Sequence, residues 1–148
     1  MGQYWLPVDL SKREFIDPCA LDAGLKLREQ AGSWPGTGAA LVVLCAAMPV
    51  SRGGGDLRPH PAVGRWAGDR VALVGDYAED SDLPAEFQAS SIYKKCRSGE
   101  WTDVTEMVLE VLEREFGSRM AGNGLPRAVR TLAPDMVVVG SGGAEDPS

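Results

Sequence analysis

The sequence predicts an α+β fold in which a mostly antiparallel sheet packs against two main helices. Three observations support this fold class. Short aromatic and aliphatic runs near the N-terminus predict a β-hairpin, a long apolar run follows, and a later segment repeats apolar residues with helical spacing. The 148 residues suit a single domain, which we expect to span residues 1–139 and to be followed by a flexible tail at residues 140–148.

The predicted hairpin consists of residues 3–10 and 13–16, which a polar turn at residues 9–12 separates. Pro7 predicts that the first strand is an edge strand or is broken there, because proline has no N–H to donate to a ladder. Asp17-Pro18 ends the hairpin, since the residue before a proline avoids helical geometry.

The first main helix is predicted at residues 39–48, after at most a short helix at residues 23–30. The run is apolar on every side, so it is either a buried helix or a buried strand, and its alanine content and length favour the helix. Thr37 is placed to cap the start of this helix, and Pro49 to end it.

The second main helix is predicted at residues 104–116, where apolar residues recur at positions i, i+3, i+4, i+7 and i+8. Asp103 or Thr102 precedes it as a cap, and Gly117 follows as a stop. The segments expected to complete the sheet are shorter. Residues 71–74 predict a buried strand between turn residues, residues 91–96 a short strand, and residues 136–139 a last strand, while the acidic residues 76–88 predict a loop.

Composition and charge exclude several classes of function. A net charge of −6 argues against nucleic acid as the main partner. Cys19, Cys45 and Cys96 are widely spaced, and the single histidine, His60, lies between two prolines, so we expect neither a metal site nor a catalytic set that needs histidine. No cofactor is expected. The N-terminus has no basic region before an apolar core, and the longest apolar run is about twelve residues, well short of a membrane span. We therefore expect a cytoplasmic protein without a membrane partner.

The most informative segment is Gly-Arg-Trp-Ala-Gly-Asp-Arg at residues 64–70, directly before the predicted strand at residues 71–74. Glycines let another group approach the backbone, and charged side chains lie beside them. As a ligand site, Arg65 and Arg70 would hold an anion, Trp66 would stack on a ring, and Asp69 would act as an acid–base or orienting group. The alternative, which we favour, is a structural turn in which Trp66 is buried and Asp69 makes a salt bridge or caps the turn.

Other segments carry weaker signals of a site. Arg52 begins the Arg-Gly-Gly-Gly-Asp sequence, so residues 51–61 form either a ligand loop that presents Arg52 to an anion or, as the three glycines favour, a mobile linker. Gly-Thr-Gly at residues 36–38 resembles an anion site at a helix start but lacks the nucleotide-loop patterns, which favours a simple cap. The acidic residues 76–82 could bind Ca²⁺ or Mg²⁺, but they lack the spacing of a known loop and are interpreted as solvated acids.

Several motifs together resemble a family of small uncharacterised proteins found in bacteria and fungi. They are Met-Gly-Gln-Tyr at residues 1–4, Gly-Leu-Lys-Leu at 24–27, Gly-Arg-Trp-Ala-Gly-Asp-Arg at 64–70 and Gly-Asp-Tyr-Ala at 75–78. The resemblance also includes residues 8–15, 102–104 and 134–137, so it covers most of the chain. Asp9 stands where these proteins usually have asparagine, a difference expected to matter little in a turn. The resemblance implies a genuine domain and transfers no catalytic residues.

The sequence therefore predicts a soluble, non-catalytic binding or interaction module whose partner is a protein or a small molecule. It shows no nucleophile–base set, no metal cluster and no nucleotide loop. The alternative is an enzyme or sensor for a small anionic ligand, a nucleotide or phosphorylated metabolite, bound near Arg52 and Trp66.

Overall fold

The computed structural model describes residues 2–122, with side chains as far as residue 117, and confirms the α+β class. Its sheet is mixed but mostly antiparallel, and the two longest helices of the described residues are Gly36–Cys45 and Thr105–Gly122. The described elements are β1 (Trp5–Asp9), β2 (Glu14–Phe15), α1 (Leu27–Gly32), α2 (Gly36–Cys45), β3 (Val71–Gly75), α3 (Ala89–Arg97), β4 (Thr102–Asp103) and α4 (Thr105–Gly122). The strand expected at residues 136–139 and the tail expected at residues 140–148 lie outside the described residues.

The sheet confirms the predicted hairpin and places it at the centre. The strand order is β3-β1-β2-β4, with β1 antiparallel to both β2 and β3, and β4 parallel to β2. In the hairpin, Asp9 lies opposite Glu14, and in the longer pair Trp5 lies opposite Gly75. The predicted strand at residues 71–74 is β3, which extends to Gly75. Only Val74 and Gly75 are buried, and the first three residues of β3 are partly exposed.

Pro7 does not mark an edge strand, because β1 lies inside the sheet. Leu10 N donates to Arg70 O at 2.8 Å, and Asp76 N donates to Tyr4 O at 2.9 Å. These bonds show that the even-numbered residues of β1 direct their backbone groups towards β3, so the nitrogen of Pro7 faces β2. There β2 is only two residues long, and Pro7 O still accepts a hydrogen bond from Ile16 N at 3.1 Å.

Two hydrophobic clusters hold the helices on the sheet. α2 and α4 share one cluster, which includes Val43, Leu44, Val108 and Leu112. α3 packs in the other, where Ile92 and Cys96 contact the apolar residues of β1. The strand predicted at residues 91–96 is therefore wrong: the segment is helical and buries Ala89, Ile92 and Cys96 along one face.

Both main helices differ from their predicted ends. The buried helix expected at residues 39–48 is α2, but it starts at Gly36 and ends before Pro49 is reached. Thr37 lies inside its first turn rather than at the cap, where Thr37 Oγ1 donates to Gln30 Oε1 at 3.0 Å. α4 continues past Gly117, and its only interruption is the non-helical geometry of Phe116, with φ −130° and ψ 19°. Asp103, which was predicted as a cap, lies in β4 two residues before α4, and its Oδ1 accepts from the first helical nitrogen, Thr105 N, at 2.9 Å.

Candidate functional site

The turn at residues 64–70 closes the C-terminal end of α2. Gly64 N donates to Val43 O at 2.9 Å, and Trp66 N donates to Leu44 O at 2.8 Å. The last carbonyls of a helix have no partners within it, so this turn supplies the missing donors. Gly64 has a φ of +76°, and a Cβ there would lie 2.6 Å from Ala46 O. Only glycine lets the chain pass this closely over the end of the helix.

Glu14 is the centre of the polar contacts beneath this turn. Its carboxylate is buried and accepts hydrogen bonds from Arg65 Nε and from Trp66 Nε1, both at 2.9 Å. Arg65 Nη2 donates to the second oxygen, which makes the ion pair bidentate. Burial alone would raise the pKa of Glu14, but the hydrogen bonds from Arg65 and Trp66 together outweigh it, and the pKa is lowered. Glu14 is therefore ionised and neutralises Arg65.

Trp66 is buried, as the favoured structural interpretation expects. Its side chain is 1% exposed and belongs to the cluster that α2 and α4 share. A ring in this position has no free face for a ligand, so its burial favours the structural turn over the alternative in which Trp66 stacks on a ligand. The indole nitrogen has found an internal acceptor instead.

Asp69 also makes an internal contact, but not the turn cap that was one of the alternatives. Its Oδ2 forms an ion pair with Lys12 Nζ, in which the side chain of Lys12 is 39% exposed and that of Asp69 is 18% exposed. Lys12 lies in the turn between β1 and β2. The ion pair therefore joins the hairpin turn to the turn at residues 64–70, with Lys12 rather than the neighbouring Arg65 or Arg70 as the partner of Asp69.

Asp9 is the polar residue whose environment the sequence did not reveal. It is completely buried, and its Oδ1 accepts from Ser11 N at 2.8 Å and from Lys12 N at 2.9 Å. Its Oδ2 is buried without a hydrogen-bond donor from the described residues, and the Asp69 carboxylate is its neighbour. Burial, followed by the hydrogen bond with Asp69, raises the pKa of Asp9 to about 6.

The two neighbouring carboxyl groups therefore have pKa values that are shifted in opposite directions. The hydrogen bond with Asp9 lowers the pKa of Asp69, and the Lys12 ammonium lowers it further. A proton taken up as pH falls towards 6 therefore goes to the buried Asp9 rather than to Asp69. The aspartate at position 9 was expected to matter little. It does matter, because an aspartate here places a titratable group inside the domain, which an asparagine would not do.

Arg70 and Arg52 lie outside this cluster of contacts. The Arg70 guanidinium lies 3.6 Å from the Glu86 carboxylate and 4.7 Å from the centre of the Phe87 ring, and its side chain is 59% exposed. Arg52 is exposed, and its backbone N donates to Asp56 Oδ2 at 2.8 Å. Gly53 N donates to the same oxygen at 3.0 Å, so Asp56 closes the glycine loop on itself. Of the five predicted site residues, only Arg65 and Trp66 share a partner, which is Glu14.

The two weaker candidates have structural roles as well. Gly36 and Thr37 begin α2, and the carboxylates after β3 bond to nearby backbone: Asp76 Oδ1 accepts from Tyr4 N at 2.9 Å, and Asp80 Oδ1 accepts from Ser90 N at 3.0 Å. Within residues 2–122, no group of three or more histidine, cysteine, aspartate or glutamate side chains is arranged to hold a metal ion.

The residues that sequence analysis missed are Asp9, Lys12 and Glu14. The available signal was that charged residues occupy inward positions on both strands of a predicted hairpin, which is unusual unless they have partners. The partners themselves lie more than fifty positions away along the chain, so their identity depends on the fold.

No protein-family model, curated protein or solved structure matches this chain. Among the helices of the described residues, none is both long enough and apolar enough to cross a membrane.

Proposed function

We propose that this protein is a cytoplasmic, non-catalytic binding or interaction module. The observation that carries the proposal is the position of Glu14, which binds both Arg65 and Trp66 from within the domain. These two side chains are the most recognisable part of the Gly-Arg-Trp-Ala-Gly-Asp-Arg motif. Because each has an internal partner, the motif is better explained by its role in folding than by binding of a ligand.

The nucleophile candidates support the same proposal. Burial raises the pKa of all three thiols, that of Cys96 to about 12, and the neighbouring Asp9 and Asp69 raise the pKa of Cys45 further. A reactive cysteine needs a lowered pKa. His60 uses both ring nitrogens for structure, since Nδ1 accepts from Ala62 N at 3.0 Å and Nε2 lies 3.0 Å from Glu110 Oε1. No thiol therefore has the lowered pKa of a nucleophile, and both ring nitrogens of His60 lie at hydrogen-bond distance from other groups.

A second candidate is a sensor or enzyme for a small anionic ligand, such as a nucleotide or phosphorylated metabolite. It is favoured by the exposed guanidinium groups of Arg52 and Arg70, although that of Arg70 lies 3.6 Å from the Glu86 carboxylate and over the Phe87 ring. An exposed arginine is an effective phosphate donor. Net charge of −6 weakens this candidate, and it weakens nucleic acid as a partner still more.

Thermal unfolding of the full chain with AMP and with glucose 6-phosphate separates the two candidates. We expect no saturable change in Tm with either probe, and no turnover of a panel of phosphoesters, nucleotides and glycosides. A saturable rise in Tm that is lost in Arg70→Gln or Arg52→Gln, but kept in the exposed control Arg28→Gln, would establish the anionic ligand instead. Turnover that is lost in Asp69→Ala would show that the protein is an enzyme.

A further inference from the structure

The outer edge of β3 has the chemistry of an interaction surface. Within residues 2–122, β3 pairs only with β1. Because Arg70 and Asp76 direct their backbone groups towards β1, the alternation of a strand turns the N–H and C=O groups of Val71 and Leu73 away from the sheet. Among the described residues, neither Val71 nor Leu73 has a backbone partner on that side.

This edge lacks the features that normally keep a sheet edge from pairing. From Val71 to Gly75 it contains no charged residue, no proline and no bulge opposite β1. Val71, Ala72 and Leu73 are all partly exposed. The charges lie at its two ends, with Arg70 before the strand and Asp76 after it.

We propose that β3 pairs, antiparallel, with β3 of a second copy of this chain. A twofold axis at Leu73 places each Leu73 opposite its copy and each Val71 opposite Gly75 of the second copy. These are the residues whose backbone groups point outward, so the hydrogen-bond pattern of the two edges matches without a shift in register. Gly75 O already accepts from Ala78 N at 3.2 Å, and a carbonyl has a second lone pair for the new bond.

Charge complementarity selects the second copy as the occupant of this edge. In the same register, Arg70 of each chain lies opposite Asp76 of the other, which gives two pairs of opposite charge. Val71 of each chain lies opposite Gly75 of the other, beside the Gln3 side chain that covers this glycine. Tyr77, 62% exposed and next to Asp76, adds aromatic area beside each charged pair.

The association should be reversible, because one strand pair buries less area than a stable dimer interface needs. This inference rests on the proposed function and names its partner. The two proposals fail separately: a protein that stays monomeric overturns the homotypic contact, whereas saturable binding of AMP or glucose 6-phosphate, or turnover, overturns the proposed function.

The test is hydrogen exchange by NMR on the full chain, from low micromolar to about millimolar concentration, a range chosen for weak association. We expect the amides of Val71 and Leu73 to gain protection as concentration rises, while those of Ala72 and Val74, already bonded to β1, stay unchanged. No concentration dependence would overturn the proposal. So would protection of Leu73 at the lowest concentration, since the edge would then be covered within one chain.

Charge exchange provides the matched variants, followed by sedimentation equilibrium. Arg70→Glu and Asp76→Lys should each weaken self-association about tenfold, because each places like charges opposite each other. Mixing the two variants should restore association, since both pairs in the mixed dimer are again of opposite charge. Asp76→Lys removes the acceptor of Tyr4 N and is replaced by a second design if it unfolds. In that design the double variant Arg70→Glu/Asp76→Glu places like charges opposite each other. The single variant Asp76→Glu, which keeps Arg70, is its control. Association that ignores these charges would contradict the register.

Discussion

The carboxylate of Glu14 and the indole of Trp66 are joined by a hydrogen bond of 2.9 Å, although 52 positions separate the two residues. Arg65 binds the same carboxylate, so one acid of the hairpin holds two consecutive residues of a distant turn. The turn in its own right caps α2 through the backbone of Gly64 and Trp66. The turn therefore contacts both the hairpin and the end of α2. These contacts account for the glycine, arginine and tryptophan at its start.

Replacing the indole of Trp66 tests its hydrogen bond to Glu14. Trp66→Phe keeps an aromatic ring in the core but removes the donor, so we expect the free energy of unfolding to fall by about 1 to 2 kcal/mol. Chemical denaturation measures the change. Tyr77→Phe is the control, since it removes a polar group from an aromatic side chain that is 62% exposed. Equal effects of the two substitutions would show that the Trp66 bond contributes nothing.

Two glycines of the turn separate steric clash from backbone strain. Gly64 and Gly68 both have positive φ, +76° and +85°, but a Cβ meets Ala46 O at 2.6 Å only at Gly64, and nothing within 4 Å at Gly68. Gly68→Ala should cost about 1 kcal/mol from strain alone. Gly64→Ala should cost clearly more, because the chain must also move off the end of α2. Denaturation curves that show equal losses would mean that the close approach at Gly64 is not needed.

The buried Asp9 makes stability depend on pH in a defined direction. Its pKa is about 6 in the folded protein and 3.8 as the ordinary value, so the folded state holds the proton more tightly. This contribution to stability is complete below pH 3.8, is lost as pH rises towards 6, and stays lost above. Asp9→Asn has no proton to release and has an amide that donates to Asp69.

We therefore expect Asp9→Asn to raise the free energy of unfolding at pH 8 by about 2 kcal/mol and to change it little at pH 4. Unfolding curves measured across this range check the prediction. Glu100→Gln, an exposed carboxylate in the turn after α3, is the matched control and should leave the pH profile unchanged. A variant profile parallel to that of the wild type would show that Asp9 titrates normally.

How much the sequence predicts depends on whether a pattern is local. The hairpin, β3, α2 and α4 follow from alternation, length and helical spacing, all of which lie within one segment. Residues 91–96 were misjudged because six residues are too few to show a helical period. Only the longer segment from Ala89 to Arg97 shows that Ala89, Ile92 and Cys96 share a face.

The site is less predictable because its contacts join distant segments. Arg65 and Trp66 could be singled out as neighbours in one motif, but nothing in that motif identifies Glu14 as their partner. The same holds for Asp69, whose partners Lys12 and Asp9 lie in the hairpin. Pro7 is a second case, in which a local rule predicted an edge strand and the neighbouring strand overrode it. Its missing N–H is harmless inside the sheet only because β2 is so short.

A double-mutant cycle on Glu14 and Arg65 is the most direct test of the central claim that the turn is structural. Glu14→Gln, Arg65→Gln and the double variant are unfolded with denaturant, and the coupling between the two side chains is obtained from the three changes in free energy. We predict that each single variant is destabilised and that the coupling is about 1 to 3 kcal/mol. Single variants as stable as the wild type, with no coupling between them, would contradict it and leave Arg65 free to bind a ligand.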